Sequence, residues 1–154
     1  MSALKIKAAV LALLGSAFLS AHAAGFYVSK AGNATYLPAG PGWTEVTSIT
    51  VGSGNWVIHS SAPAVNFGAT DITRCAIFID GVLNVATASM LGGGGGMPAA
   101  AELSNLALLH LYAGQVVGLY CGHDANVAGQ RIDPGATLVI TRAPKTYREL
   151  ITRQ

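Results

Sequence analysis

The strongest hydrophobic pattern in the chain is the stretch Asn105–His123, NLALLHLYAGQVVGLYCGH. Apolar residues fill alternate positions on both sides of a short turn at Ala113–Gln115. In the first half of the stretch, one face would carry Leu106, Leu108, His110 and Tyr112, and the opposite face would carry Ala107, Leu109 and Leu111. The second half separates Val117, Leu119 and Cys121 from Val116, Gly118 and Tyr120. This alternation predicts two strands that form a central hairpin, buried on at least one side.

Shorter segments around this stretch also have strand character. They are Gly25–Lys30, Thr44–Val51, Trp56–Ser60, Arg74–Ile79, Val82–Ala88 and Ala136–Arg142. Asp80-Gly81 separates two of them and favours a tight hairpin turn, because both positions tolerate positive φ. The segments rich in glycine and proline predict loops: Ala31–Trp43, Ser61–Thr70 and Met90–Ala101. With no amphipathic helix, the order predicts an all-β antiparallel β-sandwich of about eight strands.

The first 23 residues have the order of a secretory signal peptide. Lys5 and Lys7 precede the apolar run Ala8–Leu19, and Ala21 and Ala23 supply the small residues at the −3 and −1 positions of a cleavage site. The run of about 12 residues is shorter than the roughly 20 that a membrane span needs. We therefore expect a signal peptide over 1–23, a β-sandwich domain over 24–143 and a polar, basic tail over 144–154. The protein is expected to be secreted, periplasmic or at the cell surface.

The mature chain has few charges. Removing Lys5 and Lys7 brings the 9 basic residues level with the 7 acidic ones, so the formal net charge becomes zero. The sequence pI of about 8.7 is thus partly an effect of the signal peptide and does not favour nucleic-acid binding. Charged residues make up 10% of the chain, below the roughly one-quarter of typical soluble domains. A surface this poor in charge favours self-association.

The two cysteines, Cys75 and Cys121, both lie in predicted strands. In an oxidising compartment they allow a single intramolecular pairing, and we predict a disulfide. Closing a loop of about 47 residues would stabilise the fold by about 4 kcal/mol in the chain-entropy model. Two buried free thiols, or thiolate metal ligands together with His123, are the alternatives.

Four segments together resemble the jelly-roll domains of the C1q and tumour-necrosis-factor type, in particular their exported bacterial relatives. They are GNWVIHSSAPAVNF, RCAIFIDG, LALLHLYAGQVVGLYCG and GATLVITRA. The positions that match the family pattern are Gly54, Trp56, Gly114, Val117 and Leu119, within a match over about Thr44–Ala143. The Phe-Asn and Tyr positions of animal members are missing, and the closing strand lacks their aromatic ending. The resemblance implies a jelly roll and a homotrimer, but no particular ligand.

No stretch carries a catalytic or cofactor signature. Ser53 has glycine on both sides but lacks the G-x-S-x-G elbow of serine hydrolases, so a turn is expected. The Gly92–Gly96 run lacks the lysine and hydroxyl residue of a phosphate-binding loop and predicts a surface loop. His59 and His110 lie within strands as packed or edge-facing side chains. We predict no catalytic residue, no metal site and no cofactor.

The pair His123-Asp124 beside Cys121 has ligand types that zinc accepts, but neighbours on one strand end cannot surround a metal. We interpret the pair as polarity in a surface loop. Tyr36, Trp43 and Tyr112 are weak candidates for stacking on a glycan or a cell-surface protein. Trp43 has a second interpretation, as a cap on the sandwich core.

The hypothesis that combines these features is an exported, non-enzymatic β-sandwich module that binds or builds at the cell surface and self-associates as a trimer. Two alternatives remain at this point. A fimbrial subunit would need a donor strand near the mature N-terminus and an incomplete sandwich. A carbohydrate-active jelly-roll enzyme would need two facing carboxylates, for which Asp71 and Asp124 are candidates.

Overall fold

The computed structural model describes residues 25–92, 98–125 and 129–143. The predicted signal peptide over 1–23, residues 93–96 of the glycine run and the predicted tail over 144–154 lie outside these ranges. No helix among the described residues is long and apolar enough to cross a membrane.

Ten strands make up the regular structure of the described residues. They are β1 (Phe26–Lys30), β2 (Thr35–Tyr36), β3 (Thr44–Thr50), β4 (Gly54–Asn66), β5 (Asp71–Ile79), β6 (Val82–Leu91), β7 (Ala99–Leu111), β8 (Val116–His123), β9 (Gln130–Ile132) and β10 (Thr137–Arg142). The all-β prediction is confirmed, with two short strands, β2 and β9, that were not predicted as separate elements.

The strands form two antiparallel sheets packed as a jelly roll. In the four-stranded sheet the order is β3-β8-β5-β6. In the six-stranded sheet β7 pairs with β4 along its whole length. The other edge of β4 is shared, because β10 pairs with its first half and β9 with its last three residues. β1 then pairs with β10, and β2 pairs with β9.

The predicted hairpin over Asn105–His123 is wrong in its pairing, although both strands exist. β7 pairs with β4 in one sheet, whereas β8 pairs with β3 and β5 in the other. The turn between them is held by Val51, whose carbonyl accepts from Gly114 N and whose N–H donates to the Gln115 carbonyl. The segment is therefore a corner that carries the chain from one sheet to the other. Alternation alone cannot distinguish a corner from a hairpin, since both bury one face of each strand.

The hairpin at Asp80-Gly81 is confirmed, with φ of 50° and 80° at its two residues. The predicted loop over Ser61–Thr70 is wrong for its first six residues, because β4 continues to Asn66. Pro63 is tolerated inside β4 because it sits between the last residue paired with β10 and the first paired with β9. No ladder hydrogen bond is required from a proline at such a break.

The core lies between the sheets in two apolar clusters. One surrounds Trp56 and includes Ile58 and Leu138, and the other surrounds the two cysteines. Trp56 is 1% exposed, its Nε1 donates to the Gly52 carbonyl at 3.0 Å, and Tyr27 packs edge-on against it. The indole is thus fully buried and its polar atom is satisfied, as a buried tryptophan requires.

The predicted disulfide is confirmed between Cys75 and Cys121, which are direct cross-strand partners on β5 and β8. The bond therefore ties the two central strands of the four-stranded sheet. Both cysteines are fully buried in the second apolar cluster.

Removing the disulfide is expected to lower the free energy of unfolding by up to about 4 kcal/mol, because residues 46 apart would no longer be linked in the unfolded chain. Urea unfolding of the oxidised protein, the reduced protein and the paired variant Cys75→Ala/Cys121→Ala measures this. Reductant should leave the paired variant unchanged. Equal unfolding midpoints for oxidised and reduced protein would contradict the expectation.

Candidate functional site

The outward side of the six-stranded sheet presents two neighbouring rows in which apolar side chains predominate. We call the outward side chains of β1, β10, β4 and β7 the outer face. Strand register aligns these side chains in rows across the sheet. One row runs Phe26, Thr141, Val57 and Leu108, and the next runs Val28, Val139, His59 and Leu106.

Large apolar side chains on this face are open to solvent. Leu106 is 66% exposed, Phe26 is 55% exposed and Val28 is 52% exposed. Tyr112, at the end of β7, and Tyr36, paired with Arg131 at the other end of the sheet, are also exposed. Scattered exposed hydrophobics are ordinary on a monomer, so it is the alignment of these side chains in neighbouring rows that makes the outer face a candidate interaction surface.

The outer face carries two formal charges, Lys30 on β1 and Glu102 on β7. The two residues lie toward opposite edges of the four strands. Glu102 accepts a hydrogen bond from the Ser61 hydroxyl. Between these edges the rows are filled by apolar, hydroxyl and imidazole side chains.

Both strand histidines of the sequence analysis lie on this face. His59 sits in register between Val139 and Leu106 and is exposed. His110 lies nearer the turn, where its Nδ1 is 2.7 Å from Asn55 Oδ1 and its ring meets Tyr112 edge-on.

The three predicted ligand-stacking residues do not converge on one site. Tyr36 and Tyr112 bracket the six-stranded sheet, separated by roughly 12 residues of β4, or about 40 Å. Trp43 lies on the outside of the other sheet, where it packs edge-on against Phe78 at 5.3 Å. The interpretation of Trp43 as a cap on the sandwich core is therefore wrong. The loop before β3 folds over Gly122, whose missing Cβ leaves room for the Gly42 carbonyl, and this places Trp43 outside.

The middle of the outward side of the four-stranded sheet is covered by an aromatic cluster. Phe78 contacts both Trp43 and Tyr120, and Ala76 beneath them is fully buried. The Tyr120 hydroxyl donates to Glu45 Oε2 at 2.6 Å. This hydrogen bond and one from Ser48 lower the pKa of Glu45, and the same bond raises the pKa of Tyr120. The cluster therefore covers the middle of this face with residues of the same chain, while Ile72 and Met90 beside it stay exposed.

A buried polar network joins the two sheets at the end of the sandwich near the disulfide. Asp71 Oδ2 accepts from His123 Nδ1 at 2.8 Å, Gln130 Nε2 at 2.6 Å and Ala125 N at 3.0 Å. Thr73 extends the network by donating to Gln130 Oε1. Since an ionised carboxylate only accepts, Nδ1 of His123 carries the hydrogen.

Burial favours the neutral form of Asp71 and would raise its pKa, but these hydrogen bonds outweigh it. The Ala125 N–H, the His123 imidazole and the Ile72 N–H together lower the pKa of Asp71 below its ordinary value of 3.8. The carboxylate is therefore held ionised, although its side chain is only 7% exposed.

The interpretation of His123 as surface-loop polarity is wrong. Its side chain is fully buried, it bonds Asp71 rather than Asp124, and its Nε2 has no hydrogen-bond partner among the described residues. Asp124 instead pairs with Arg74 at the surface. Sequence reasoning missed this network because Asp71 and His123 are 52 residues apart and neither stands in a recognisable motif.

The substitution Asp71→Asn is expected to lower the free energy of unfolding by about 1–3 kcal/mol at neutral pH. The asparagine amide has one oxygen, which accepts hydrogen bonds, and one NH2 group, which only donates. The NH2 group would therefore face either the Ile72 N–H, which now donates to Oδ1, or the three donors that now bond Oδ2. Asp124→Asn is the matched control, and it should cost under about 1 kcal/mol because its ion pair with Arg74 is partly solvated.

The pH dependence of the unfolding free energy distinguishes the contribution of the Asp71 charge from that of its side-chain shape. Because folding lowers its pKa, Asp71 contributes stability above 3.8 and loses that contribution as the pH falls below this value. The difference in unfolding free energy between the wild-type protein and Asp71→Asn should therefore narrow from pH 7 towards pH 3. A constant difference, measured by urea unfolding, would contradict this.

No protein-family model and no curated protein matches the chain. Among solved structures, a chain of infectious bursal disease virus, Gx strain, is similar with a TM-score of 0.53 and 12% identity over 79% of this chain. The VP2 subviral particle of that virus gives a TM-score of 0.50 and 13% identity over 80% of this chain. The chain spans 34% of the length of each of these viral chains.

Murine APRIL is similar with a TM-score of 0.49 and 13% identity over 72% of this chain and 98% of its own. For the two viral chains, TM-scores of 0.53 and 0.50 at identities of 12% and 13% show a shared fold and leave function open. The described residues and the viral structures agree on that fold, an antiparallel jelly roll.

Proposed function

We propose that the chain is an exported, non-enzymatic jelly-roll module that self-associates through the outer face and serves as a structural or binding unit at the cell surface or outside the cell. The observation that carries the proposal is the pair of rows across the outer face, in which Phe26, Val28 and Leu106 are exposed to solvent. Water contact with these side chains is unfavourable, so a partner surface that covers them gains free energy.

The dimensions of the outer face can be compared with those of known protein interfaces. β4 and β7 each have 13 residues, whereas β10 has six and β1 has five. With about 3.3 Å per residue and about 4.8 Å between strands, the outward side of these four strands covers about 590 Å². Two such faces in contact would bury on the order of 1,200 Å² in total, which is at the lower end of the range of specific interfaces.

Charge favours a second copy of the chain as the occupant. A neutral mature chain carries little net repulsion between copies. Lys30 and Glu102 lie toward opposite edges of the outer face, so a contact that brings one copy's β1 edge to another copy's β7 edge pairs opposite charges. Such complementarity sets register between partners.

A trimer is the assembly that the resemblance to C1q and tumour-necrosis-factor domains implies. The residues that carry this resemblance have structural roles consistent with it. Trp56 anchors the core, and Gly114 has a φ of 89° in the corner between the sheets. Export rests on the signal-peptide pattern of residues 1–23.

Two alternatives have less support. Donor-strand assembly of a fimbrial subunit needs an incomplete sandwich, whereas β1 pairs with β10 of its own chain at five positions. Glycoside hydrolysis needs two accessible, facing carboxylates. Asp71 is buried in its hydrogen-bond network, and Asp124 is held by Arg74.

The substitution Leu106→Asp tests the proposal. Leu106 is exposed in the single subunit, so the variant should fold, but a carboxylate buried in the apolar contact should weaken association more than about a hundredfold. Absolute mass from light scattering after size exclusion should give a trimer for the chain from residue 24 onward and a monomer for the variant.

Met90→Asp is the matched control. Met90 is 70% exposed on β6, against 66% for Leu106 on β7, but it belongs to the other sheet. This variant should remain a trimer. A monomeric wild-type protein, or equal loss of assembly in both variants, would overturn the proposal.

A further inference from the structure

A histidine lies near the centre of the outer face. Val139 of β10 and Leu106 of β7 flank His59 in register. Along β4 the nearest side chains on the same side are Val57 and Ser61. His59 is solvent-exposed in the single subunit. A second copy placed on this face would enclose its imidazole among aliphatic and hydroxyl groups.

Among the described residues, no charged group on this face lies close enough to compensate a protonated His59. β10 contributes only threonine and valine, and β4 contributes no other titratable group. Strand spacings place Lys30 of β1 about 12 Å away, and Glu102 and His110 of β7 about 14 Å away. These separations exceed the Debye length of about 8 Å at physiological salt.

We propose that His59 makes self-association dependent on pH, so that copies assemble at neutral and alkaline pH and separate on acidification. The inference rests on the proposed association through the outer face. Imidazole is the side chain whose charge ordinarily changes between pH 5 and 8. Burial against apolar side chains disfavours its charged form, so assembly releases protons.

The sign and size of the effect follow from linkage. The separated subunits bind more protons than the assembly, so the association constant falls as the pH falls. Each buried His59 lowers it by up to about tenfold for each pH unit below the ordinary histidine range. A trimer with three such residues would lose up to about a thousandfold per pH unit in its overall association constant.

The experiment measures the dissociation of the chain from residue 24 onward by sedimentation equilibrium at pH 8.0, 7.0, 6.0 and 5.5. Wild-type protein should assemble at pH 8.0 and dissociate progressively towards pH 5.5. His59→Gln should assemble with an affinity that stays within about threefold over this range, because glutamine cannot take up the proton. His110→Gln removes the other histidine of the face and should keep the wild-type dependence.

The outcomes separate this inference from the proposed function. Wild-type protein that is monomeric at every pH would overturn both. An assembly whose affinity does not change with pH, or a pH dependence that persists in His59→Gln, would overturn the inference alone. Loss of the pH dependence in His110→Gln would show that His110 carries it, and this would overturn the assignment to His59. Loss of the folded circular dichroism signal at pH 5.5 would mean that the subunits dissociate because they unfold, and this would also overturn the inference.

Discussion

Pairing along β4 is the constraint on which both the core and the outer face depend. Its 13 residues pair with β7 throughout, and β10 and β9 share its other edge. Because side chains alternate, this one strand supplies Trp56 and Ile58 to the core and Val57 and His59 to the outside. A slip of one residue would exchange the two sets. The register that buries the tryptophan is thus the register that places the histidine on the surface.

Local patterns allowed much of the fold to be predicted. Alternation identified the main strands, Asp80-Gly81 identified the one tight hairpin that was predicted and found, and two cysteines in strands identified the disulfide. Strand partners could not be predicted in the same way. The turn at Gly114 separates strands of different sheets, and only the long-range pairing of β7 with β4 shows this.

The predictions that were wrong depend on contacts between distant segments. Trp43 lies outside the sandwich because Gly122 lets the preceding loop approach the strand closely. His123 is buried because Asp71, on another strand, holds its imidazole. The outer face is partly visible in the sequence, because Leu106 and Leu108 place apolar residues on the outward side of β7 in addition to those on its inward side. Val28 and Val139 join it only through the pairing of β1 with β10.

The two outward faces of the sandwich differ in how they are covered, and this difference bears on what the chain does. On the four-stranded sheet, Trp43 and Tyr120 pack over Phe78 and shield the strands beneath. On the six-stranded sheet, no described segment of the chain lies over Leu106 or Val28, which stay exposed. The four-stranded sheet thus covers the middle of its outward side with its own aromatic residues and leaves Ile72 and Met90 exposed beside them. The six-stranded sheet leaves Phe26, Val28 and Leu106 open to water at an energetic cost. This exposure is the physical basis for the proposal that another copy of the chain covers the outer face. The formal net charge of zero over residues 24–154 would put little electrostatic repulsion in the way of such a contact.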